Sequence, residues 1–378
     1  MIKKFCFGLL IILLMFGILA QFGSASEKAK VYNWNYNTSY DSSYFVGGSF
    51  IQHWANMVWR ETNHQLKINV FYSGTLGYKG NEMLSTIKNG LLESAEFSSA
   101  LMNSEAKQPW WKFDDFYALY DNWDQLMAVF NVAAPMVKED LENFGGVKLL
   151  ALFPCTPEDS FEGIWMNKKI EKWADFKGTK VRTYFSGARE YCLDPLGFSS
   201  LFLPGPETYQ GLKTGLVDGV IQCALTGYTG NYSEIAKYFY VFEPICANYW
   251  GIMCGQKAFD ALPEDVQKGL VRASKAIEDL IINQLWPYSS DFAPGLAGIM
   301  STEDTLKYFK EKGNVVVRVP LLQKKIQEQN AIGMVQWIAK EGGPRGQLLY
   351  DTLLKAKELY PDSYPELYNS LPILNIEE

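Results

Sequence analysis

Histidine is nearly absent from this chain, which has 378 residues and only two histidines, His53 and His64. They stand about three helical turns apart, whereas two metal ligands on one helix face are normally one turn apart. A Ser-His-Asp triad or a histidine-cysteine metal cluster therefore has little to draw on. The sequence also lacks a nucleophile motif and a glycine-rich phosphate loop. These absences argue against an enzyme.

Cysteine is scarce too, and no two cysteines have the CxxC spacing of a redox or zinc site. One of the six, Cys6, lies at the start of an apolar N-terminal run. The others are odd in number, so at least one stays unpaired or pairs between chains. An oxidising compartment allows a disulfide, but the sequence does not choose a pair. The remaining cysteines are Cys155, Cys192, Cys223, Cys246 and Cys254.

Long apolar runs are limited to one, at residues 5–20. Lys3 and Lys4 precede it, and the small residues 23–25 follow it, which is typical of a cleavable signal peptide over residues 1–25. An uncleaved N-terminal anchor is the alternative. No other stretch of the sequence is long and apolar enough to cross a bilayer, so we expect an exported mature protein in the periplasm.

Positive charge is in the minority, because the formal net charge is −7 and no basic run occurs. An acidic chain without a basic run argues against nucleic acid or an anionic membrane surface as a partner. It does not argue against a small anionic ligand, since one local arginine can set the electrostatic potential inside a closed cleft.

Apolar and aromatic residues, in contrast, are plentiful, at 48% and 15% of the chain. A mature chain of about 350 residues suits two lobes better than one core. Most of the 11 tryptophans should lie in the cores, and a few should line a pocket.

Residues 176–222 alternate between strand-like and helix-like patterns. A short strand at 178–183 carries Arg182, a hydrophobic strand follows at 200–203, and a third strand leads to Gln222 after a helix at 206–214. Strands separated by helices pair in parallel, and ligands bind at their carboxyl ends. A guanidinium at that edge can clamp a carboxylate with two parallel hydrogen bonds. A surface arginine paired with a neighbouring acid is the alternative.

This stretch resembles the signature region of the DctP-type solute-binding proteins of tripartite ATP-independent periplasmic (TRAP) transporters. A second similar region lies upstream, and residues 259–267 are also family-like. At His64 the family usually has glycine, so we expect a different turn geometry there. The matching signature residues are Asp175, Phe176, Lys177, Gly178, Lys180, Arg182, Leu196, Gly197, Pro206, Glu207, Tyr209, Leu212, Gly215, Val217, Asp218 and Gly219. The upstream matches are Glu61, Thr62, Asn63, Leu66, Ile68, Val70, Phe71, Gly74, Leu76, Gly77, Glu82, Ile87 and Gly90.

The resemblance implies a bilobal, periplasmic-binding-protein-like α/β fold, with two mixed α/β domains joined by crossing strands and a long bracing helix. We assign residues 26–151 and about 242–282 to lobe I, and about 152–241 and 283–345 to lobe II. Residues 346–378 would form a C-terminal helix and tail packing on the lobes. The bracing helix would begin near Pro263 and run past Trp286, and the last dozen residues look loosely held.

The function implied by the resemblance is an extracytoplasmic solute receptor that closes around an organic acid carboxylate in the cleft between the lobes. Arg182 would bind the carboxylate. Gln222 would hydrogen-bond the same group or a neighbouring oxygen, as an amide often does at this place in relatives. Trp34, at the end of the first strand, would supply a wall from the other lobe. Further pocket candidates, each of which also suits the core, are Tyr184, Tyr228 and Trp250.

Glu162 marks a departure from the family pattern. Many members carry a second arginine at this place, upstream of the signature arginine, and its loss argues against a two-arginine clamp for a larger sugar acid. Glu162 is a candidate ligand-binding acid that would select a hydroxyl or an amine. A surface location is the alternative.

The implied partners are the small organic acid anion and the small and large membrane permease subunits of a TRAP transporter. The receptor would act as a monomer or a dimer. No cofactor and no metal ligand are predicted, although a cation bridges the carboxylate in some relatives and such an ion stays open. Two other functions also stay open: a bilobal periplasmic enzyme acting on a small carboxylate, and a receptor that feeds a sensor.

Overall fold

The computed structural model describes residues 30–39, 50–78, 80–154, 161–183, 188–203, 205–245, 248–285, 301–361 and 363–378. Within these ranges the chain forms two β-sheets flanked by helices, which is the mixed α/β architecture that the sequence predicts. None of the described helices is both long and apolar enough to cross a membrane. The predicted signal peptide at 1–25 and the candidate Tyr184 lie outside the described residues.

The first sheet combines four strands from the front of the chain with one strand from much later. Its strands are β1 (Tyr32–Asn37), β2 (Leu66–Phe71), β3 (Ser94–Ser98), β4 (Val147–Pro154) and β10 (Tyr249–Gly255), in the order β2-β1-β3-β10-β4. The late strand runs antiparallel to both of its neighbours, so the chain crosses back into this sheet as predicted. We call this sheet, with its core, the first lobe.

The second sheet, with its cores, forms the second lobe. Its strands are β5 (Glu162–Met166), β6 (Lys180–Thr183), β7 (Ser199–Phe202), β8 (Gly219–Cys223), β9 (Tyr238–Glu243) and β11 (Val315–Arg318), in the order β11-β9-β5-β8-β6-β7. Strand β6 is parallel to both β7 and β8, as the sequence predicts. The carboxyl ends of these three strands therefore meet at one edge.

The residues at the helix ends explain where the helices begin and end. In the helix Trp123–Phe144 (α4), for example, the Asn122 side chain accepts a hydrogen bond from the backbone N–H of Gln125 at the start, and Gly145 ends the helix at a φ of 73°. The described helices are α1 (Phe50–Glu61), α2 (Met83–Lys88), α3 (Ser99–Ala106), α4 (Trp123–Phe144), α5 (Gly205–Lys213), α6 (Ala224–Thr229), α7 (Gln256–Asp260), α8 (Glu264–Leu280), α9 (Thr302–Glu311), α10 (Pro320–Trp337), α11 (Gly343–Leu359) and α12 (Glu366–Asn369).

The helix that spans the two lobes among the described residues is α10. Leu322 and Ile326, near its beginning, pack in a core of the second lobe. Met334 and Trp337, at its end, pack in the core of the first lobe. The helix predicted from Pro263 is α8, which packs against α1 and β4 of the first lobe. The continuation predicted past Trp286 lies outside the described residues.

The C-terminal tail is fastened to the second lobe, so the prediction of a loosely held end is wrong. The backbone N–H of Arg318 in β11 donates to the carbonyl of Pro372, and the N–H of Leu374 donates to the carbonyl of Arg318. The N–H of Trp173 donates to the carbonyl of Glu377 at 2.7 Å. The two bonds of Arg318 satisfy backbone groups of the edge strand β11, which would otherwise stay open.

The turn at His64 has a left-handed backbone conformation, and its expected difference from the turn of the family stays a prediction. His64 has a φ of 63°, in the left-handed region that favours glycine. Its ring lies 5.0 Å from that of Trp59, centroid to centroid, and this contact helps to offset the backbone strain.

Candidate functional site

Arg182 and Gln222 meet at the carboxyl edge of the second sheet. Arg182 lies one residue before the end of β6, opposite Val220 of the neighbouring strand β8. Its Nη1 donates to Oε1 of Gln222 at 2.9 Å, and its Nε donates to the carbonyl of Leu203 at 3.0 Å. Only 4% of Arg182 is exposed. The two bonds fix the plane of a buried guanidinium, which pre-organises it for a planar anion.

Two further side chains near this guanidinium were not found from the sequence. Tyr232 and Thr208 are both buried, and their side chains are hydrogen-bonded to each other. Burial raises the pKa of the Tyr232 phenol above its usual range, and the nearby charge of Arg182 opposes that rise in pKa. No spacing signal identifies Tyr232, because it follows a helix and a turn rather than a strand.

Glu162 lies on the other face of the same sheet and is fully buried, so the surface location considered for it is wrong. It pairs with Cys223, one residue past Gln222, and successive residues of a strand point to opposite faces. On its other side it faces Glu243 of β9, at a register shift.

Glu243 is buried beside this acid and accepts a hydrogen bond from the backbone N–H of Ala118. Burial, and then the neighbouring Glu162, raise the pKa of the Glu243 carboxyl well above its usual range. The structure therefore brings Glu162 together with a second acid and not with Arg182.

Trp34 is not at the end of the first strand, because β1 continues to Asn37. It lies in the first half of the strand, about 10 Å of chain before the carboxyl edge. There it lines a groove of about 490 Å³ with Asn89, Leu92 and Lys257. The predicted position of Trp34 at the end of the strand is therefore wrong, and its contact with a ligand stays a prediction.

Two other aromatic candidates make contacts within their own lobes. Trp250 is fully buried in the first core, where its ring lies 5.4 Å from Phe153 and its side chain hydrogen-bonds to Glu96. Tyr228 is half-buried and packs edge-on against Tyr308 of α9, with centroids 4.9 Å apart. Their predicted ligand contacts stay predictions.

The cysteines are described in part. Cys192, Cys223 and Cys254 are buried thiols that form no disulfide within the described part of the chain, while Cys155 and Cys246 lie outside the described residues. Among the described residues no group of three or more histidines, cysteines and acids is placed to hold a metal ion.

Comparison with known proteins agrees with this fold. Residues 37–288 match the family model DctP, described as bacterial extracellular solute-binding protein, family 7. This match covers well over half of the chain, which therefore belongs to that family of solute-binding proteins and confirms the resemblance to TRAP receptors.

Individual relatives are distant in sequence. The chain is 26% identical over 253 residues to the C4-dicarboxylate-binding periplasmic protein DctP of Rhodobacter capsulatus, covering 67% of this chain and 70% of that protein. Its fold is similar to that of DctP7, an extracytoplasmic solute receptor from Bordetella pertussis binding pyroglutamic acid, with a TM-score of 0.72, 21% identity and coverage of 86% and 100%. It is also similar to a TRAP periplasmic solute-binding protein of Pseudoalteromonas atlantica T6c with bound sodium and pyruvate, with a TM-score of 0.70, 20% identity and coverage of 87% and 95%. The bilobal receptor fold is thereby confirmed.

Proposed function

We propose that this chain is the extracytoplasmic receptor of a TRAP transporter and that it binds a small organic carboxylate at the edge carrying Arg182. The observation that carries the proposal is the buried guanidinium held by Gln222 and the Leu203 carbonyl. Gln222 uses its amide oxygen on the arginine, so its amide nitrogen still has two donors for an incoming anion. Relatives that bind pyroglutamate, pyruvate and C4-dicarboxylates support the ligand class.

The mechanism is closure of two lobes around the ligand. The strand composition of the two sheets supports a division into two lobes. The first sheet takes its strands from residues 32–154 and 249–255, and the second sheet takes its strands from residues 162–243 and 315–318. A ligand that contacts both lobes shifts the population toward the closed form by its extra contacts there. The closed receptor in the periplasm would then deliver the anion to the small and large membrane subunits. We propose no catalytic step and no obligatory cation.

The loss of Arg182 alone should be enough to weaken ligand binding strongly. Removing one partner of a buried charge pair costs roughly 2–5 kcal/mol in comparable interfaces. At about 1.4 kcal/mol per decade, affinity should fall by roughly thirty-fold to several thousand-fold.

The experiment is thermal shift on ligand-stripped mature protein with pyroglutamate, pyruvate and succinate, each with EDTA, with sodium and with calcium. We expect at least one acid to raise the melting temperature, and Arg182→Ala to abolish that rise while the protein stays folded. Arg318→Ala is the matched control, because Arg318 ends β11 in the same sheet and donates to Asn369. If an acid still raises the melting temperature of Arg182→Ala, the proposed role of Arg182 in binding the carboxylate is rejected.

A further inference from the structure

Residues Phe116–Tyr120, which we call the interlobe segment, contribute side chains to both lobes. Phe116 and Tyr120 are buried in the first core, where Phe116 lies 5.7 Å from the ring of Trp337. Tyr117 and Ala118, between them, are buried in the second lobe. A rotation of one lobe against the other must therefore move this segment or the residues that it contacts.

The segment is held on the second lobe by its backbone. Glu243 accepts a hydrogen bond from the N–H of Ala118, and Gln327 of α10 donates to the Ala118 carbonyl at 3.5 Å. Asn330, one turn further along α10, donates to the Tyr117 carbonyl. Ala118 has a φ of 51°, a left-handed conformation that a non-glycine residue adopts only where its surroundings impose it.

Tyr117 reaches from this segment to the strand of the carboxylate site. Its hydroxyl oxygen lies 2.9 Å from the hydroxyl oxygen of Thr183, and both residues are buried. Thr183 ends β6 and directly follows Arg182, so the two side chains point to opposite faces of the sheet. The ring of Tyr117 is also fixed, edge-on against Phe242 of β9 at 5.7 Å. The strand that carries the guanidinium is thus supported from behind by a second-lobe residue whose neighbours in the interlobe segment, Phe116 and Tyr120, are buried in the first core.

We propose that Tyr117 is a positioning residue for Arg182, through the hydroxyl of Thr183. The first lobe would thereby set the orientation of the guanidinium on the second lobe, so that closure and carboxylate capture are coupled. This inference rests on the proposed carboxylate function. Tyr117 need not touch the ligand for its hydroxyl to change ligand affinity.

The test is Tyr117→Phe, which removes one hydroxyl, in the full mature chain. The first readout is the side-chain Nε–H resonance of Arg182 in the ligand-free protein, assigned by its absence in Arg182→Lys. The second is the Kd of pyroglutamate by calorimetry. We expect the resonance to shift and the affinity to fall roughly two- to tenfold, the range for one hydrogen bond. Thr183→Val should shift the resonance and lower the affinity in the same way. The double variant should bind pyroglutamate no more weakly than either single variant, because both remove the same hydrogen bond.

Tyr240→Phe is the matched control. Tyr240 lies on the same face of the second sheet as Thr183. Its hydroxyl accepts from the N–H of Ile170 at 2.9 Å and donates to the carbonyl of Lys168 at 3.1 Å, near the edge of the sheet opposite to Arg182. It should lower the melting temperature and leave the Arg182 resonance and the Kd unchanged.

An Arg182 resonance that does not move in Tyr117→Phe, or that moves equally in Tyr240→Phe, would overturn the positioning role. Unchanged pyroglutamate affinity, in a protein where Arg182→Ala abolishes binding, would overturn it as well. If the wild type ignores pyroglutamate, that ligand choice fails, while the resonance still decides the positioning role. Thr183→Val provides the same decision if Tyr117→Phe does not fold.

Discussion

At the scale of single residues, Gln222 decides what the guanidinium of Arg182 can accept. The neutral amide oxygen holds Nη1 without cancelling its charge. Gln222→Glu keeps the shape but places a carboxylate beside the guanidinium, so we expect an internal ion pair that repels an incoming carboxylate. Affinity for the bound acid should fall at least about tenfold, equivalent to 1.4 kcal/mol, without loss of the ligand-free melting temperature.

The measurement is calorimetry beside thermal melting, with Gln323→Glu as the control. Gln323 is a buried amide of α10 whose Oε1 accepts from the Tyr368 hydroxyl at 2.8 Å. Its substitution should cost stability and spare affinity. Tight binding by Gln222→Glu would show that the carboxylate sits elsewhere.

Asp114 gives a residue-scale prediction on pH. Burial raises the pKa of this carboxyl to about 7, although hydrogen bonds from Tyr120 and Tyr249 oppose the rise in pKa. In the unfolded chain an aspartate titrates near pKa ~3.9. Between these values the folded state holds the extra proton, so this carboxyl makes the free energy of unfolding fall as pH rises from about 4 to about 7. Asp114→Asn should remove that decline and gain up to a few kcal/mol above pH 7.

Urea unfolding at several pH values between 4.5 and 8 measures this effect. Asp140→Asn is the control, because Asp140 is buried in the same lobe but accepts from Trp110 and Trp111 and pairs with Arg345. It should destabilise the protein throughout. A pH profile of Asp114→Asn parallel to that of the wild type would contradict the prediction.

At the scale of elements, the tail stabilises the edge of the second sheet that ends in β11. Leu374 packs against a core of that lobe, whereas its neighbour Ile373 is 51% exposed. We expect Leu374→Ala to lower the free energy of unfolding by about 1–2 kcal/mol, while Ile373→Ala stays within about 0.5 kcal/mol. Urea unfolding of both variants checks the difference. Equal effects would mean that only the tail's backbone bonds matter.

The strands were predictable from the sequence because their apolar runs are short and bounded by turns. Arg182 and Gln222 could be placed at one edge because parallel strands share the direction of their carboxyl ends. Two features escaped prediction because they depend on contacts between segments that are far apart in the sequence. Glu162 meets Glu243 through a register shift, and Tyr117 meets Thr183 across 66 positions of chain. The tail was misjudged because several of its bonds to the second lobe are made by backbone groups, which leave no pattern in the sequence.

At the scale of the whole molecule, α10 makes the two lobes one mechanical unit. Leu322 lies in the second core and Trp337 in the first, on one continuous helix. The interlobe segment crosses beside it and is bonded to Gln327 and Asn330 of the same helix. The lobes can therefore rotate only as far as these shared contacts allow, which favours a guided closure over free motion.

Shared anchors also predict that the lobes unfold together. Amide exchange of β1 and of β5 should follow one common urea dependence in the wild type. Trp337→Ala removes the first-lobe anchor at a cost of about 3–5 kcal/mol, and we expect β1 to open at lower urea than β5. Val335→Ala, an exposed position on the same helix, should leave the two curves superimposed. Curves that already separate in the wild type would show that α10 does not couple the lobes. Curves that fall together in Trp337→Ala would assign the coupling to the interlobe segment instead.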